Sequence, residues 1–404
     1  MFECRACKSS DFQSLWRLRD APYGDLFKKS QLQASSEKVH SLILGECGTC
    51  ELLQLRDKTD LEIQYDDYLY QTKVTAGLDH FYSKLASNLQ VELPSANRRV
   101  VDIGSNDGSF LTPFLNQGNE VLGVEPANGP ATSAEQRNIK TLRKYFSSDL
   151  AKTIVSEFGY AGLVSANYTL ANVPDISDFL IGVKKLLADN GLFSIVTGYH
   201  PDQFAVNMWD YIGHDHLTYF SINSLDKCLK KAGLEIVDAT RSELKGGSLH
   251  VLARHVQTSI KPTSSVKYIK QRESWTWPEN LSGITGLKSR VEIQKEEIIK
   301  RLSSSSSKYL GIGASISTSY LVNQFEISEW IEYLVDDDPV KTSRYSPRYG
   351  IPVISFNDSK LQTFENAIIL AWQHTDILIN RLVESGFRGK VLIPLPRLTQ
   401  LSLT

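Results

Sequence analysis

The sequence predicts an α/β protein made of two wound units behind a small metal-binding module, and three observations predict it. Val100-Val101-Asp102-Ile103-Gly104-Ser105-Asn106-Asp107-Gly108 runs from a short apolar strand through a glycine turn into an apolar-spaced helix with Phe110, Leu111, Phe114 and Leu115. Buried parallel strands read as short apolar runs, and a tight strand-to-helix turn needs glycine where the backbone bends or is closely approached. The pattern returns at Tyr309-Leu310-Gly311-Ile312-Gly313-Ala314-Ser315. Cys4-x-x-Cys7 and Cys47-x-x-Cys50 have the knuckle spacing by which thiolates take a tetrahedral metal.

At 404 residues the chain suits two or three domains, and 41% hydrophobic and 10% aromatic content suffices for proper cores. A formal net charge of -2 gives no electrostatic case for nucleic acid or an anionic membrane. No apolar run approaches the roughly 20 residues of a bilayer helix. Met1-Phe2-Glu3-Cys4-Arg5 lacks a signal-peptide pattern, so a cytoplasmic protein is expected.

Residues 1–64 form the expected zinc module. Cys4, Cys7, Cys47 and Cys50 would hold a structural ion, since four thiolates leave no open position for water. A redox pair is the competing reading of such spacing, and Cys228 reads as a buried small apolar residue. Glu51 to Leu55 is a short strand leaving the second knuckle. Residues 65–98 form a bridging segment with a helix from about Thr75 to Leu89, and there Tyr68 and Tyr70 either pack or present a phenol.

The central unit spans 99–256. Its second strand, Val121-Leu122-Gly123-Val124, ends in Glu125, and a carboxylate there suits a vicinal ribose diol because it accepts two hydroxyl hydrogen bonds. After the strand Ala161 to Ala166, Asn167 to Asn172 falls at the rim where open α/β sheets bind ligands. A helix from Ile176 to Leu187 is expected to end at Asn190-Gly191, before a strand Leu192 to Val196. The densest polar stretch follows, Trp209-Asp210-Tyr211-Ile212-Gly213-His214-Asp215-His216-Leu217-Thr218-Tyr219-Phe220-Ser221, with two of eight histidines flanking one aspartate. It reads as a metal site, a structural loop, or an oriented general base of near-neutral pKa. Ser221 caps a helix to Ala232, and Gly246-Gly247 bends the chain into a last strand. Residues 257–307 form connecting helices, one of them charged, near Leu287 to Leu302. Residues 308–404 form the second unit, with a strand ending in acids from Glu332 to Pro339, and later the runs Ala367 to Trp372 and Val391 to Pro396. One site per unit would let cofactor and substrate meet between them.

The turn at Gly104 departs from the dinucleotide GxGxxG spacing and resembles motif I of class I S-adenosylmethionine methyltransferases. On that resemblance Asp102, Gly104, Asn106, Asp107, Gly108, Glu125, Pro126 and Asn167 form the cofactor set, with Glu125 on the ribose. Collinear agreement over nearly the whole chain resembles the sugar C-methyltransferases of deoxysugar biosynthesis, which methylate C3 of 4-keto sugar nucleotides. It covers the double CxxC module, Tyr68-x-Tyr70, Val101 to Gly108, His216 to Ser221, Gly246-Gly247-Ser248-Leu249, Gly311-Ile312-Gly313-Ala314, Ala371-Trp372 and Ile393-Pro394-Leu395-Pro396. The resemblance implies a Rossmann-like class I methyltransferase domain, a second Rossmann-like domain, and a nucleotide-sugar substrate between them. It puts His216 on the family's base and Asp215 on the acid before it. A usual tyrosine falls at Gly213, with Tyr211 near, and a usual histidine falls at Asn172. The catalytic expectation is therefore His216 as base, Asp215 orienting it, Tyr70 or Tyr211 donating to an oxyanion, and Asn172 as donor only. Methylation of a heteroatom is the alternative, since it needs no enolate; a non-catalytic binding subunit is a third. A monomer or small homo-oligomer is expected.

Overall fold

The computed structural model describes residues 2–58, 72, 77–256, 261–276 and 280–404. Strands β1 (Phe12–Ala21), β2 (His40–Cys47) and β3 (Leu53–Leu55) form an antiparallel meander that carries the two knuckles at its base. The central unit supplies β4 (Arg99–Ile103), β5 (Glu120–Val124), β6 (Thr141–Leu142), β7 (Ala161–Asn167), β8 (Leu187–Gly198), β9 (Thr218–Tyr219), β10 (Leu234–Ser242) and β11 (Ser248–His255). Seven of these order as β10-β11-β8-β7-β4-β5-β6, with β4 to β8 parallel and β11 antiparallel to both neighbours. The eighth, β9, leaves that sheet and pairs with β3 through Leu53 and Tyr219. The stretch after the histidines is thus the fourth strand of the N-terminal sheet.

The C-terminal unit contributes β12 (Tyr309–Ile312), β13 (Ile331–Val335), β14 (Val353–Ile354), β15 (Asn366–Ile369), β16 (Gly389–Ile393) and β17 (Thr399–Leu403), ordered β14-β13-β12-β15-β16-β17. All pairs are parallel except the last. The α/β class with two Rossmann-like halves is borne out. Both sheets are covered on both faces, which is why β4, β7, β12 and β15 carry nearly continuous apolar sequence.

One local expectation is corrected. The helix Ile176–Leu186 stops at Leu187, and Asn190-Gly191 lies inside the long strand β8. A Cβ at Gly191 would press on Leu187 and the Ala161 carbonyl, so this glycine serves close strand approach, not a helix cap. Of the helices expected in the connecting region, Ser264–Thr276 carries Glu273, which accepts the backbone N–H groups of Ile222 (2.6 Å) and Asn223 (3.2 Å). That carboxylate caps the helix Ile222–Lys231 beside the expected Ser221 cap, which accepts from Ser224 N–H.

Candidate active site

Cys4, Cys7, Cys47 and Cys50 converge, with every pair of sulfurs within 4.8 Å; the Cys4–Cys50 and Cys7–Cys47 separations are 3.6 and 3.5 Å. Tetrahedral Zn–S bonds of about 2.3 Å give sulfur edges of nearly this length. The hydrogen bond from Cys50 holds Cys4 below its ordinary value, while burial raises Cys7 and Cys228 raises Cys50. The residues fit zinc. Gln54 Nε2 donates to Cys4 Sγ (3.2 Å), the outer support a metal thiolate uses. Cys228, on the helix Ile222–Lys231, lies against Cys50, and that helix also places Lys231 Nζ on the Cys7 carbonyl (2.5 Å). Among the described residues the four cysteines are the one such cluster, so His214, Asp215 and His216 do not assemble a metal site.

At the carboxyl ends of β4, β5 and β7, where strand order reverses, lies a cavity of about 240 Å³. Asp102, Gly104, Asn106, Glu125, Pro126, Asn167 and Asn172 all line it. Gly104 (φ +72) donates its N–H to the Val124 carbonyl (2.8 Å), and a Cβ there would strike Thr169. Asp107 and Gly108 build the turn instead of lining the cavity. Asp107 accepts from Ser109 N–H (3.2 Å) and pairs with Arg137 (3.7 Å), while Gly108 (φ +77) faces Ile139.

Glu125 is buried and accepts the N–H groups of Asn106 (3.0 Å) and Ala127 (2.9 Å), one per carboxylate oxygen. Each oxygen keeps a lone pair for a hydroxyl. Burial raises Glu125 and lifts Asp102 to about 7, against the hydrogen bonds Asp102 accepts from Ser165 (2.6 Å) and Asn167 (3.3 Å). Ser105 Oγ and Asn167 Oδ1 are buried here with no hydrogen-bond partner. A turn that glycine alone permits, a diol-accepting acid and orphaned polar atoms fit the adenosyl and ribose groups of S-adenosylmethionine.

The histidine loop lies beside this cavity, because Leu217 N–H bonds the Ala171 carbonyl (2.8 Å) next to Asn172. His216 packs edge-on against the Tyr211 ring (5.8 Å between centroids). Burial, aided by the charge of Lys245, lowers His216 to about 4, so its imidazole is neutral near pH 7. The Tyr211 hydroxyl is buried with no hydrogen-bond partner, and burial raises its pKa well above the ordinary phenol range, so it stays a donor. Asp215 turns the other way, since its carboxylate accepts the Tyr320 hydroxyl (3.0 Å) from the C-terminal unit. The charge bearing on His216 is that of Lys245. Tyr70 lies outside the described residues.

Tyr320 also explains Gly213. Its hydroxyl accepts His214 N–H (2.9 Å), and its ring fills the place where any side chain at 213 would stand. No local pattern in Ile316 to Phe325 announces such a long-range contact. Lys245 was legible only as a charged residue just before two glycines. It takes φ +51, lines the cavity, and sets its ammonium over Tyr168 (4.1 Å to the ring centroid). A second cleft, of about 880 Å³, runs between the central and C-terminal units past Asn207, Arg290, Trp372, His374 and Arg397.

The family described as C-methyltransferase C-terminal domain matches residues 243–396, and that described as methyltransferase domain matches residues 70–239. The chain is 27% identical over 404 residues to C-methyltransferase NovU of Streptomyces niveus, covering 98% of this chain and 96% of that one. Among solved structures, the CcbJ methyltransferase of Streptomyces caelestis aligns at 16% identity over 48% of this chain and 96% of its own, with a TM-score of 0.35. Magnesium protoporphyrin IX methyltransferase of Synechocystis PCC 6803 aligns at 16% identity over 48% of this chain and 91% of its own, also at 0.35. With the two matched regions following one another along the chain on this sheet topology and cavity, the chain is an S-adenosylmethionine-dependent methyltransferase, similar along nearly its whole length to a C-methyltransferase.

Proposed function

We propose that the enzyme methylates a carbon of a nucleotide-linked keto sugar, with His216 as the base that removes the proton beside the carbonyl. The observation that carries this reading is the pairing of a neutral imidazole with an unsatisfied phenol next to the cofactor cavity. A carbon becomes nucleophilic only when a base takes its proton and a donor meets the oxygen that gains charge. His216 takes the proton, and Tyr211 O–H donates to the oxygen. Asp102, Gly104, Asn106, Glu125, Pro126 and Asn167 hold the cofactor, which supplies an electrophilic methyl group on a sulfonium. Arg290, Arg397 and His374 in the second cleft suit a diphosphate, which leaves the sugar to reach the histidine loop. The printed name of the NovU relative, a C-methyltransferase, is consistent with carbon as acceptor.

Cys4, Cys7, Cys47 and Cys50 bind one structural zinc. Its task is to fix the sheet in which β9 begins two residues after His216. Asp215 positions the loop through Tyr320.

The test is solvent exchange. With a thymidine diphosphate-linked 4-keto-6-deoxyhexose in deuterium oxide and no methyl donor, the enzyme should exchange the proton beside the carbonyl, and full turnover should give a C-methyl signal by NMR. The heteroatom reading draws on Gly213 and Asn172, where acid and base groups are missing. An O- or N-methyl product without exchange would establish it and remove the carbon reading.

A further inference from the structure

We infer that Lys245 is a second catalytic group, a cation that binds the oxyanion formed when His216 removes the proton. This rests on the carbon reading above and adds a residue that the loop's histidines and tyrosines did not suggest. Lys245 lines one cavity and its charge reaches a histidine that lines the other. It lines the cofactor cavity with Tyr168, Thr169 and Asn172. Its charge bears on His216 and also on His374, which lines the cleft toward the C-terminal unit.

The backbone holds it there at a cost. Lys245 (φ +51) and Tyr168 (φ +54) both adopt the left-handed conformation, which non-glycine residues rarely take and which gathers at functional sites. Gly246 (φ +75) and Gly247 (φ +135) follow, and side chains at those positions would strike Met208 and Asp202. Gln203 Nε2 donates to the Lys245 carbonyl (3.2 Å). The Tyr168 hydroxyl shares a hydrogen bond with Ser248 Oγ (2.7 Å), which donates to the Leu244 carbonyl (2.8 Å). The ring under the ammonium and the loop that carries it are therefore tied into one piece.

The electrostatics point to one role. A cation beside a base weakens the base, because it disfavours the imidazolium that proton removal creates. That arrangement serves catalysis only if the same cation meets the negative charge made in the same step. The C–H bond breaks, its proton goes to the His216 ring nitrogen, and the electron pair moves through the new C=C bond onto the carbonyl oxygen. The oxygen then lies against the Lys245 ammonium. When the enolate carbon takes the methyl group, the C–O double bond reforms, the methyl–sulfur pair stays on sulfur, and His216 later returns its proton to solvent. Lysine supplies the electrophile that Asn172, a neutral donor, supplies weakly.

The test compares Lys245→Met and Lys245→Arg with wild type, using the same thymidine diphosphate-linked 4-keto-6-deoxyhexose without methyl donor. Lys245→Met should slow proton exchange by about 10²–10³-fold, the scale for one oxyanion donor. Lys245→Arg should recover part of the loss, with thymidine diphosphate and S-adenosylhomocysteine binding unchanged by calorimetry. The acid limb of exchange should rise in pH in the Met variant, since His216 loses its neighbouring cation. Exchange at the wild-type rate in Lys245→Met overturns the assignment while the carbon reading stands. Normal exchange at saturation with weakened thymidine diphosphate binding overturns it too, making Lys245 a phosphate anchor. Absence of exchange in the wild type sinks the carbon reading, and this assignment with it.

Discussion

The two α/β halves open with the same hydrogen bonds and end differently. In the central half Gly104 N–H donates to the Val124 carbonyl (2.8 Å), and Asn106 N–H donates to Glu125 at the end of the second strand (3.0 Å). In the C-terminal half Gly313 N–H donates to the Val335 carbonyl (2.8 Å), and Ala314 N–H donates to Asp336 at the same place (2.7 Å). Beyond the first turn lies a cavity. Beyond the second lies the chain itself. Ser319 Oγ donates to the Gly24 carbonyl (2.7 Å), and Lys341 Nζ pairs with Asp25 (2.6 Å) while bonding the Ala314 carbonyl (3.0 Å). A nucleotide-like turn is thus a folding device first. Whether it binds anything depends on what the rest of the chain lays across it.

The expectation of one small-molecule site per half changes accordingly: the C-terminal turn is covered by the N-terminal module. The largest effect that probes this is loss of zinc. Zinc analysis of the full chain should give one ion, and Cys47→Ser should lose it. Free energies of roughly 10–16 kcal/mol per structural zinc in isolated fingers set the upper bound on what the module loses. Hydrogen exchange should rise in β1, β2 and the Tyr23 to Asp25 segment, with S-adenosylhomocysteine binding kept at the Gly104 turn. Full zinc occupancy in Cys47→Ser removes Cys47 from the ligand set. Unchanged exchange would mean that packing alone holds the plug.

Next in size is the pair of histidines that face Lys245, one from each half. His216→Asn should cut proton exchange by roughly 10²–10⁴-fold, the range for a positioned proton acceptor. His374→Asn, at the exposed edge of the cleft, should leave the exchange rate at saturating sugar nucleotide nearly unchanged and raise only the concentration needed to saturate. Since burial lowers His216 to about 4, the imidazole is unprotonated above that pH, so exchange should hold steady from pH 7 downward and fall only near 4. A limb near the ordinary imidazole value of about 6.5 would point to a solvated base elsewhere. Equal losses in both variants would break the distinction between the halves.

The strand-turn-helix at Gly104, the acid at Glu125 and the paired cysteines were legible because each is set by residues close in sequence. The pairing of β9 with β3 was not, for two residues between a histidine loop and a helix carry no periodicity. On the family resemblance Gly213 is a lost tyrosine, and only the tertiary structure shows Tyr320 standing in that space. Asp215 beside His216 reads as an oriented pair, yet adjacent side chains in a turn diverge, and its partner comes from a helix a hundred residues later. Local chemistry writes the cofactor turn into sequence; the substrate end is assembled by distant segments.

The smallest effect compares the two acids directly. Glu125→Ala removes an acceptor that faces the cofactor cavity, so S-adenosylmethionine affinity should fall by roughly 1–3 kcal/mol, the scale for hydrogen bonds to a charged group. Asp336→Ala removes the equivalent acceptor in the other half. Its oxygens serve Ala314 N–H (2.7 Å) and Asp338 N–H (2.9 Å), with Lys341 beside them. All three partners belong to the fold, so the expected loss is thermal stability of the C-terminal unit, with cofactor affinity unchanged by calorimetry. Both substitutions leave two backbone N–H groups without their acceptor, so a shared cost in stability is expected, and only the affinity separates them. If Glu125→Ala binds the cofactor normally, the ribose is held elsewhere. If Asp336→Ala weakens it, the covered turn takes part in binding after all.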